Sequence, residues 1–543
     1  MLKTRQSLSI VFAIATITLL LFSACSQKGA IKGDRARPNI ILIMSDDHAY
    51  QAISAYSNHL METPNIDRIA KEGILFSNAC VTNSICAPSR AVIFTGKHSH
   101  LNGKIDNRFP FDTTQITFPQ LLQQGGYQTA IFGKLHFGNN PKGFDQFKIL
   151  PGQGNYYNPD FITKDEGKIR VEGYTTDIIT DFTLDWLEED RDSEKPFFLA
   201  YWHKAPHREW LPPERHYREY MKKTFPEPET LFDDYEGRGS AAREAEMNLL
   251  THMNWGGDSK IPPEVMDELG IPETSNWDKR AFENTIGRMT PEQRAAWDAV
   301  YGPMIEDFKK RYPTMTEKEK MQWRYQRYMQ DYLGSIAAVD DGVGRLLDYL
   351  DENGLTENTL VVYTSDQGFY LGEHGWFDKR FIYEESFKTP LLAKWPGVIE
   401  PGSASDQMVQ NLDYAQTILD VAGIAAPSEM QGESLVPLLR GDEEEWDREA
   451  VYYHYYEYPA VHMVKRHYGI VTREYKLAHF YYDVDEWELY DRLKDPLEML
   501  NVYDDPDYAD IVDELKEELA ALRVKYNDSE ELDQQFIDLY QEN

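Results

Sequence analysis

The chain has 543 residues, with 91 acidic against 56 basic side chains and a formal net charge of −35. That length can bury a large core and leaves room for a second compact region, while the acidity argues against nucleic acid as a partner. An anionic ligand could be met only by a local pocket of cations set inside an acidic shell.

At the N-terminus, Met1-Leu2-Lys3-Thr4-Arg5 precedes an apolar stretch from Ile10 to Phe22 and the small residues Ser23-Ala24. A basic start, a short apolar stretch and small residues before a break predict an export signal over residues 1–24. The stretch is too short to cross a bilayer comfortably. Cys25, directly after Phe-Ser-Ala, resembles a bacterial lipoprotein cleavage site. The expectation is a lipidated Cys25, an exported protein of the periplasm or outer membrane, and membrane contact only through that lipid; ordinary secretory cleavage is the alternative. With Cys25 so used and Cys86 in the motif below, Cys80 has no partner, so no disulfide is expected among the three cysteines.

Residues 39–44, Asn-Ile-Ile-Leu-Ile-Met, form an apolar run suited to a strand buried on both faces, and they lead into Ser45-Asp46-Asp47-His48. Thr63-Pro64-Asn65-Ile66-Asp67 opens a helix that Gly73 stops. Cys86-Ala-Pro-Ser-Arg90 then leads an apolar helical run closed by Thr95-Gly96. It sets a nucleophilic side chain and a fixed cation at a helix N-terminus, an arrangement suited to an anion.

Three further strands follow the same rule. Residues 128–132 lead into Gly133-Lys134-Leu135-His136, residues 197–202 into His203-Lys204-Ala205-Pro206-His207, and residues 360–364 into Ser365-Asp366-Gln367-Gly368. In a parallel sheet all four carboxyl ends lie along one edge, where ligands bind. Asp46, Asp47, Asp366 and Gln367 are hard oxygen donors from two strands, suited to Ca²⁺ or Mg²⁺ rather than zinc. Three carboxylates so gathered would repel one another without a cation.

Residues 220–330 are charged and helical in pattern, with a start such as Thr290-Pro291-Glu292-Gln293, and read as an insertion before the last core strand. A helix from about Asp331 to Asn353 carries Ile336, Val339, Val343, Leu346 and Leu350 at helical spacing. The main domain is expected over 37–440. Beyond the acidic run Asp442-Glu443-Glu444-Glu445, strand-like pieces and a helix from about Tyr508 to Lys525 predict a smaller antiparallel sheet with a helix over 445–543. The fold class is α/β, a large mostly parallel sheet between helices.

Cys86-x-Pro-Ser-Arg90 followed by Thr95-Gly96 resembles the signature of type I sulfatases, and with the strand-end motifs the resemblance extends from Arg37 to the Asp495-Pro496 region. It implies an alkaline phosphatase-like fold and conversion of Cys86 to formylglycine by a maturation enzyme. One hydroxyl of the hydrated aldehyde would attack sulfur and the other would later lose its proton and expel sulfate. The metal implied is Ca²⁺, held by Asp46, Asp47, Asp366, Gln367 and the residue at 86; the family more often has Asn at the position of Gln367. Arg90 would brace the nucleophile and the metal, Lys134 and His136 would contact the nucleophile, and His207 and Lys379 would contact the sulfate and its leaving oxygen. His203 competes with His207 for that role.

Residues 371–390, including Gly375-Trp-Phe-Asp-Lys-Arg380, resemble exported bacterial carbohydrate sulfatases, most of all N-acetylglucosamine-6-O-sulfatases of glycosaminoglycan or mucin glycans. His374, Asp378 and Arg380 are accordingly expected at the sugar. The alternatives are sulfated algal polysaccharides such as ulvan or carrageenan fragments, a phosphodiesterase or phosphonate monoester hydrolase of the same fold, and a glycan-binding protein on an inactive scaffold. The last is disfavoured by the intact Cys86, Arg90, Lys134 and His136.

Overall fold

In a computed structural model of the protein, residues 37–57 and 59–542 are described; the expected signal segment and Cys25 lie outside them. Ten strands build the central sheet: Asn39–Ser45 (β1), Ile74–Phe76 (β2), Gln128–Lys134 (β3), Gln146–Leu150 (β4), Asp160–Thr163 (β5), Gly167–Arg170 (β6), Phe197–Trp202 (β7), Thr359–Ser365 (β8), Leu391–Lys394 (β9) and Ser403–Ser405 (β10). Their order across the sheet is β10-β2-β9-β8-β1-β7-β3-β4-β5-β6. The run β8-β1-β7-β3-β4 is parallel throughout. Antiparallel pairings flank it, β9 with β8 and β2 on one side, β5 with β4 and β6 on the other.

Alternation along each strand divides the apolar side chains between two layers of helices. Ile41, Ile43, Leu199, Tyr201, Val361 and Tyr363 face one layer, where they meet Ile66 and Ile69 of α1 (Pro64–Lys71) and Val339, Val343 and Leu346 of a long helix. Ile40, Leu42, Met44, Phe198, Ala200 and Trp202 face the other, against Ile93 and Phe94 of α2 (Cys86–Thr95) and Ile418 and Leu419 of Tyr414–Val421. Burial on both faces is why β1 and β7 read as unbroken apolar runs.

The long helix is Glu317–Glu352, opened by Thr316 and Glu319 as a capping box. It begins well before the Asp331 expected from the sequence. Its first half buries Met321, Tyr325, Tyr328 and Met329 together with charged groups: Arg327 pairs with Asp331 at 2.6 Å, and Arg324 donates at 2.9 Å to the Leu250 carbonyl. Ahead of it, short helices and the 21-residue Pro291–Arg311 pack over the same layer through Trp297, Tyr301 and Phe308.

The second sheet is antiparallel, in the order Ala450–Tyr455 (β11), His467–Thr472 (β12), Tyr475–Phe480 (β13) and Glu486–Asp491 (β14). One face, with Val451, Tyr453, Val471 and Phe480, covers Tyr370, Trp376, Phe381 and Tyr383. Ile470, Leu477 and Leu489 on the other face meet Val512, Leu515 and Leu519 of Ala509–Lys525, together with Ile537 of a last helix, Glu530–Glu542. That last helix was not expected from the sequence. From Pro38 onward the chain packs as one unit.

Candidate active site

β1 and β8 are neighbours with Ser45 opposite Ser365, so the next residues, Asp46 and Asp366, leave the sheet side by side. Asp47 turns with a φ of 67° and donates its N–H to Asp366 Oδ1 at 3.1 Å. Oxygens of Asp46, Asp47 and Asp366 lie within 4.8 Å of one another, and all three residues are fully buried. Burial raises Asp366 to about 7, helped by repulsion from Asp46 and opposed by Arg90. It likewise raises Asp47 to about 6 against the pull of Lys379. Burial also opposes ionisation of Asp46, but Lys134, His207, Arg90 and Lys379 outweigh it and hold that carboxyl well below its usual range. Gln367 donates its amide N–H to Asp47, while Gln367 Oε1 and Asp46 Oδ1 are buried without a hydrogen-bond partner. Orphaned buried oxygens beside three crowded carboxylates fit a hard divalent cation.

Cys86 is the first residue of α2, with only 1% of its surface exposed. Its Sγ, an Asp46 oxygen and a His207 ring nitrogen lie within 4.8 Å of one another. Burial pushes the thiol up to about 12, so an unmodified Cys86 would be a poor nucleophile near neutrality. One turn on, Arg90 reaches Asp366 Oδ2 with Nε at 2.9 Å and Nη2 at 2.8 Å, and donates to the Lys134 carbonyl. Lys134, the last residue of β3, pairs with Asp46. Lys379 donates to both Asp47 oxygens, at 2.6 and 2.8 Å.

His207 Nδ1 lies 2.6 Å from the Arg208 carbonyl. A carbonyl only accepts, so Nδ1 carries the proton and Nε2 is the nitrogen turned toward the carboxylates, 3.8 Å from Asp47 Oδ2. His136 adopts a φ of 64° at the end of β3 and leaves Nδ1 without a partner. His203 is different. It is fully buried, edge-on to Tyr201 at 4.3 Å, with neither ring nitrogen hydrogen-bonded. Geometry therefore favours His207 over His203.

A family model described as sulfatase matches residues 38–424, and one described as the C-terminal region of N-sulphoglucosamine sulphohydrolase matches 372–525. The chain belongs to the sulfatase family. It is a sulfuric ester hydrolase. Over 521 residues it is 47% identical to an N-acetylglucosamine-6-O-sulfatase of Bacteroides thetaiotaomicron, covering 95% of this chain and 91% of that one. A solved structure, described as in complex with its substrate D-glucosamine-2-N,6-O-disulfate, superposes with a TM-score of 0.86 at 48% identity, over 91% of this chain and 99% of the other. An ulvan-active sulfatase of Formosa agariphila is 23% identical over 93% of this chain and 86% of its own length.

A cleft of about 970 Å³ opens beside the strand ends of the sulfatase. Lys204, His207 and Arg208 line it from the loop after β7, Asn254 and Trp277 from the helical segments, and His462 from the loop after β11. Asp378 lies behind His462, bonded to its Nε2 at 3.1 Å. Arg380 stands 3.5 Å from Asp378 and 2.9 Å from Glu457. The expectation for His374 needs correction. That residue is fully buried, with Nδ1 3.1 Å from Asp233 and 3.2 Å from Arg238, because a tight turn with φ of 57° aims the ring into the protein.

Lys204, Arg208 and His462 were missed as site residues. Lys204 and Arg208 could have been found, since both flank His207 in a strand-end loop. His462 lies in no motif, and only the packing of the second sheet brings it to the cleft.

Proposed function

We propose that this sulfatase removes the 6-O-sulfate of glucosamine-type sugars in exported, glycan-degrading metabolism, using a formylglycine made from Cys86 by a maturation enzyme. The observation that carries this reading is near-full-length similarity at 47% identity to an N-acetylglucosamine-6-O-sulfatase. The 23% likeness to an ulvan-active sulfatase supports an algal substrate far less. The expected lipidated Cys25 and periplasmic or outer-membrane location rest on the N-terminal residues alone.

Asp46, Asp47, Asp366 and Gln367 would hold a divalent cation, Ca²⁺ by the resemblance or Mg²⁺. When bound, that ion would draw charge from the sulfate oxygens, and the hydrated aldehyde at 86 would provide the nucleophile. The chain's own residues supply the rest. Lys134 and Lys379 present fixed positive charge to the sulfate, a preorganised field that costs no rearrangement during reaction. Arg90 fixes Asp366 and the end of β3, so both sides of the nucleophile keep their spacing. Burial, then Lys134, holds His207 well below its usual range. An anionic sulfate beside Nε2 would favour the protonated ring, which can then deliver its proton to the leaving sugar oxygen. Asp378 and Arg380 are suited to hydroxyl recognition, as a carboxylate and a guanidinium held rigid by His462 and Glu457.

Sulfate release from a panel of position-defined saccharides tests the substrate. Cleavage confined to 6-O-sulfated glucosamine sugars is expected, and preferential cleavage of 2-O- or 4-O-sulfates would reject the reading. Peptide mass spectrometry should find formylglycine at 86, and Cys86→Ser should abolish turnover. Full activity with a free thiol there would refute the nucleophile.

A further inference from the structure

Of the cations lining the cleft, Arg208 is tied to Asp258 and Arg288 to Asp160 at 2.9 Å. The cations around the carboxylates are tied in the same way, Arg90 to Asp366, Lys134 to Asp46 and Lys379 to Asp47. Lys204 differs. Only 3% of it is exposed, yet among the described residues it forms no ion pair. Its Nζ donates to the Arg208 carbonyl at 3.2 Å and sits 4.6 Å from the centre of the Tyr156 ring. A neutral acceptor and a ring face compensate a buried ammonium only partly. This cation also belongs to the cleft wall, next to His207 and outside the group that holds the carboxylates.

We propose that Lys204 is the anchor of a second anion position in the cleft, which takes a further negatively charged group on the same saccharide while the scissile sulfate occupies the carboxylate-rimmed centre. The inference rests on the glucosamine-sulfate reading above. Two carriers share the chemistry, an N-sulfo group on the glucosamine itself and the carboxylate of an adjoining uronic acid. In either case the arriving anion supplies the missing partner of the ammonium, and the Arg208 carbonyl and the Tyr156 ring hold Nζ in place to receive it.

Competition against 4-nitrophenyl sulfate turnover by the mature, metal-loaded enzyme tests this without requiring any sugar sulfate to be cleaved. Three inhibitors lacking a 6-sulfate are compared: N-acetylglucosamine, N-sulfoglucosamine, and a disaccharide of N-acetylglucosamine with a uronic acid. At least one charged inhibitor should bind about tenfold more tightly than the neutral sugar, the size expected for a charge-assisted hydrogen bond. Whichever charged inhibitor holds that advantage identifies the carrier. Lys204→Gln should erase the advantage with little change for N-acetylglucosamine, and Lys204→Arg should restore most of it. The proposal is overturned if neither anion helps, if the advantage survives in Lys204→Gln, or if that variant weakens all three inhibitors equally. Failure of the glucosamine reading shows separately, as absence of sulfate release from every 6-O-sulfated glucosamine.

Discussion

His207 and Lys379 face the same carboxylate, Asp47, but their chemistry differs. A sugar alkoxide is a poor leaving group and needs a proton as the S–O bond breaks, whereas a nitrophenolate hardly does. His207→Ala should therefore cost far more on a sugar sulfate than on nitrophenyl sulfate, by on the order of 10²–10⁴-fold. Lys379→Ala should depress both by similar factors, because its charge bears on the sulfate in each. Equal losses in His207→Ala would move the acid role to another group. Asp46, Asp47, Lys134, His136, His207, Asp366 and Gln367 were legible because each lies within a few positions of a buried strand end, and the parallel order of those strands brings their carboxyl ends to one edge; Cys86 and Arg90 came from a helix-start motif, and Lys379, far from any strand end, only from the family resemblance. Asp378 and Arg380 could be singled out by wording, but not their anchors, His462 and Glu457, which arrive from a separate sheet. His374 shows the limit of proximity along the chain, since one left-handed residue turned it away from the cleft.

Among the elements, β3 shows how closely the catalytic edge is fitted. Gly133 precedes Lys134, has a φ of 116°, and a Cβ built on it would stand 1.6 Å from the Trp202 carbonyl oxygen of β7. Gly133→Ala is expected to force β3 and β7 apart and to destabilise the protein by more than about 3 kcal/mol. Urea unfolding is the measure, and a loss below about 1 kcal/mol would show that the strands can separate without cost. The interior strands could be read as continuous apolar runs. Shorter outer strands such as Asp160–Thr163 and Gly167–Arg170 carry too few apolar residues for any period to show, and the latter is largely exposed. The long helix hid its first half for a related reason, since buried Arg and Tyr side chains there interrupt the apolar stripe by which a helix is recognised.

For the whole molecule, buried imidazoles make a pH dependence. Burial lowers His98, His203 and His467 to about 3 each. In the unfolded chain the same rings titrate near 6.5, so at these three groups the unfolded state binds more protons between those values and their contribution to stability rises with pH, whereas the raised carboxyls of Asp47 and Asp366 contribute with the opposite sign. The contribution is present above about pH 6.5 and is lost as pH falls toward 3. Measured from pH 4 to 7, the melting temperature of His467→Phe should climb less, or fall more, than that of the unaltered protein. An unchanged slope in the variant would show that the ring is charged in the folded protein.

The face of the second sheet that covers Trp376 and Phe381 has a consequence for how new specificities can arise. Arg380 is gripped by Glu457, and its carbonyl accepts a bond of 2.6 Å from the Tyr453 hydroxyl, so the segment proposed to meet the sugar and the sheet form a matched lock and frame. A chimera that exchanges residues 372–382 between relatives without residues 450–457, or the latter without that segment, would inherit a guanidinium aimed by the wrong neighbours. Recombination should then propagate the proposed sugar preference only as a block tied together by residues 77 positions apart, while the strand-end carboxylates and cations pass unchanged beneath it.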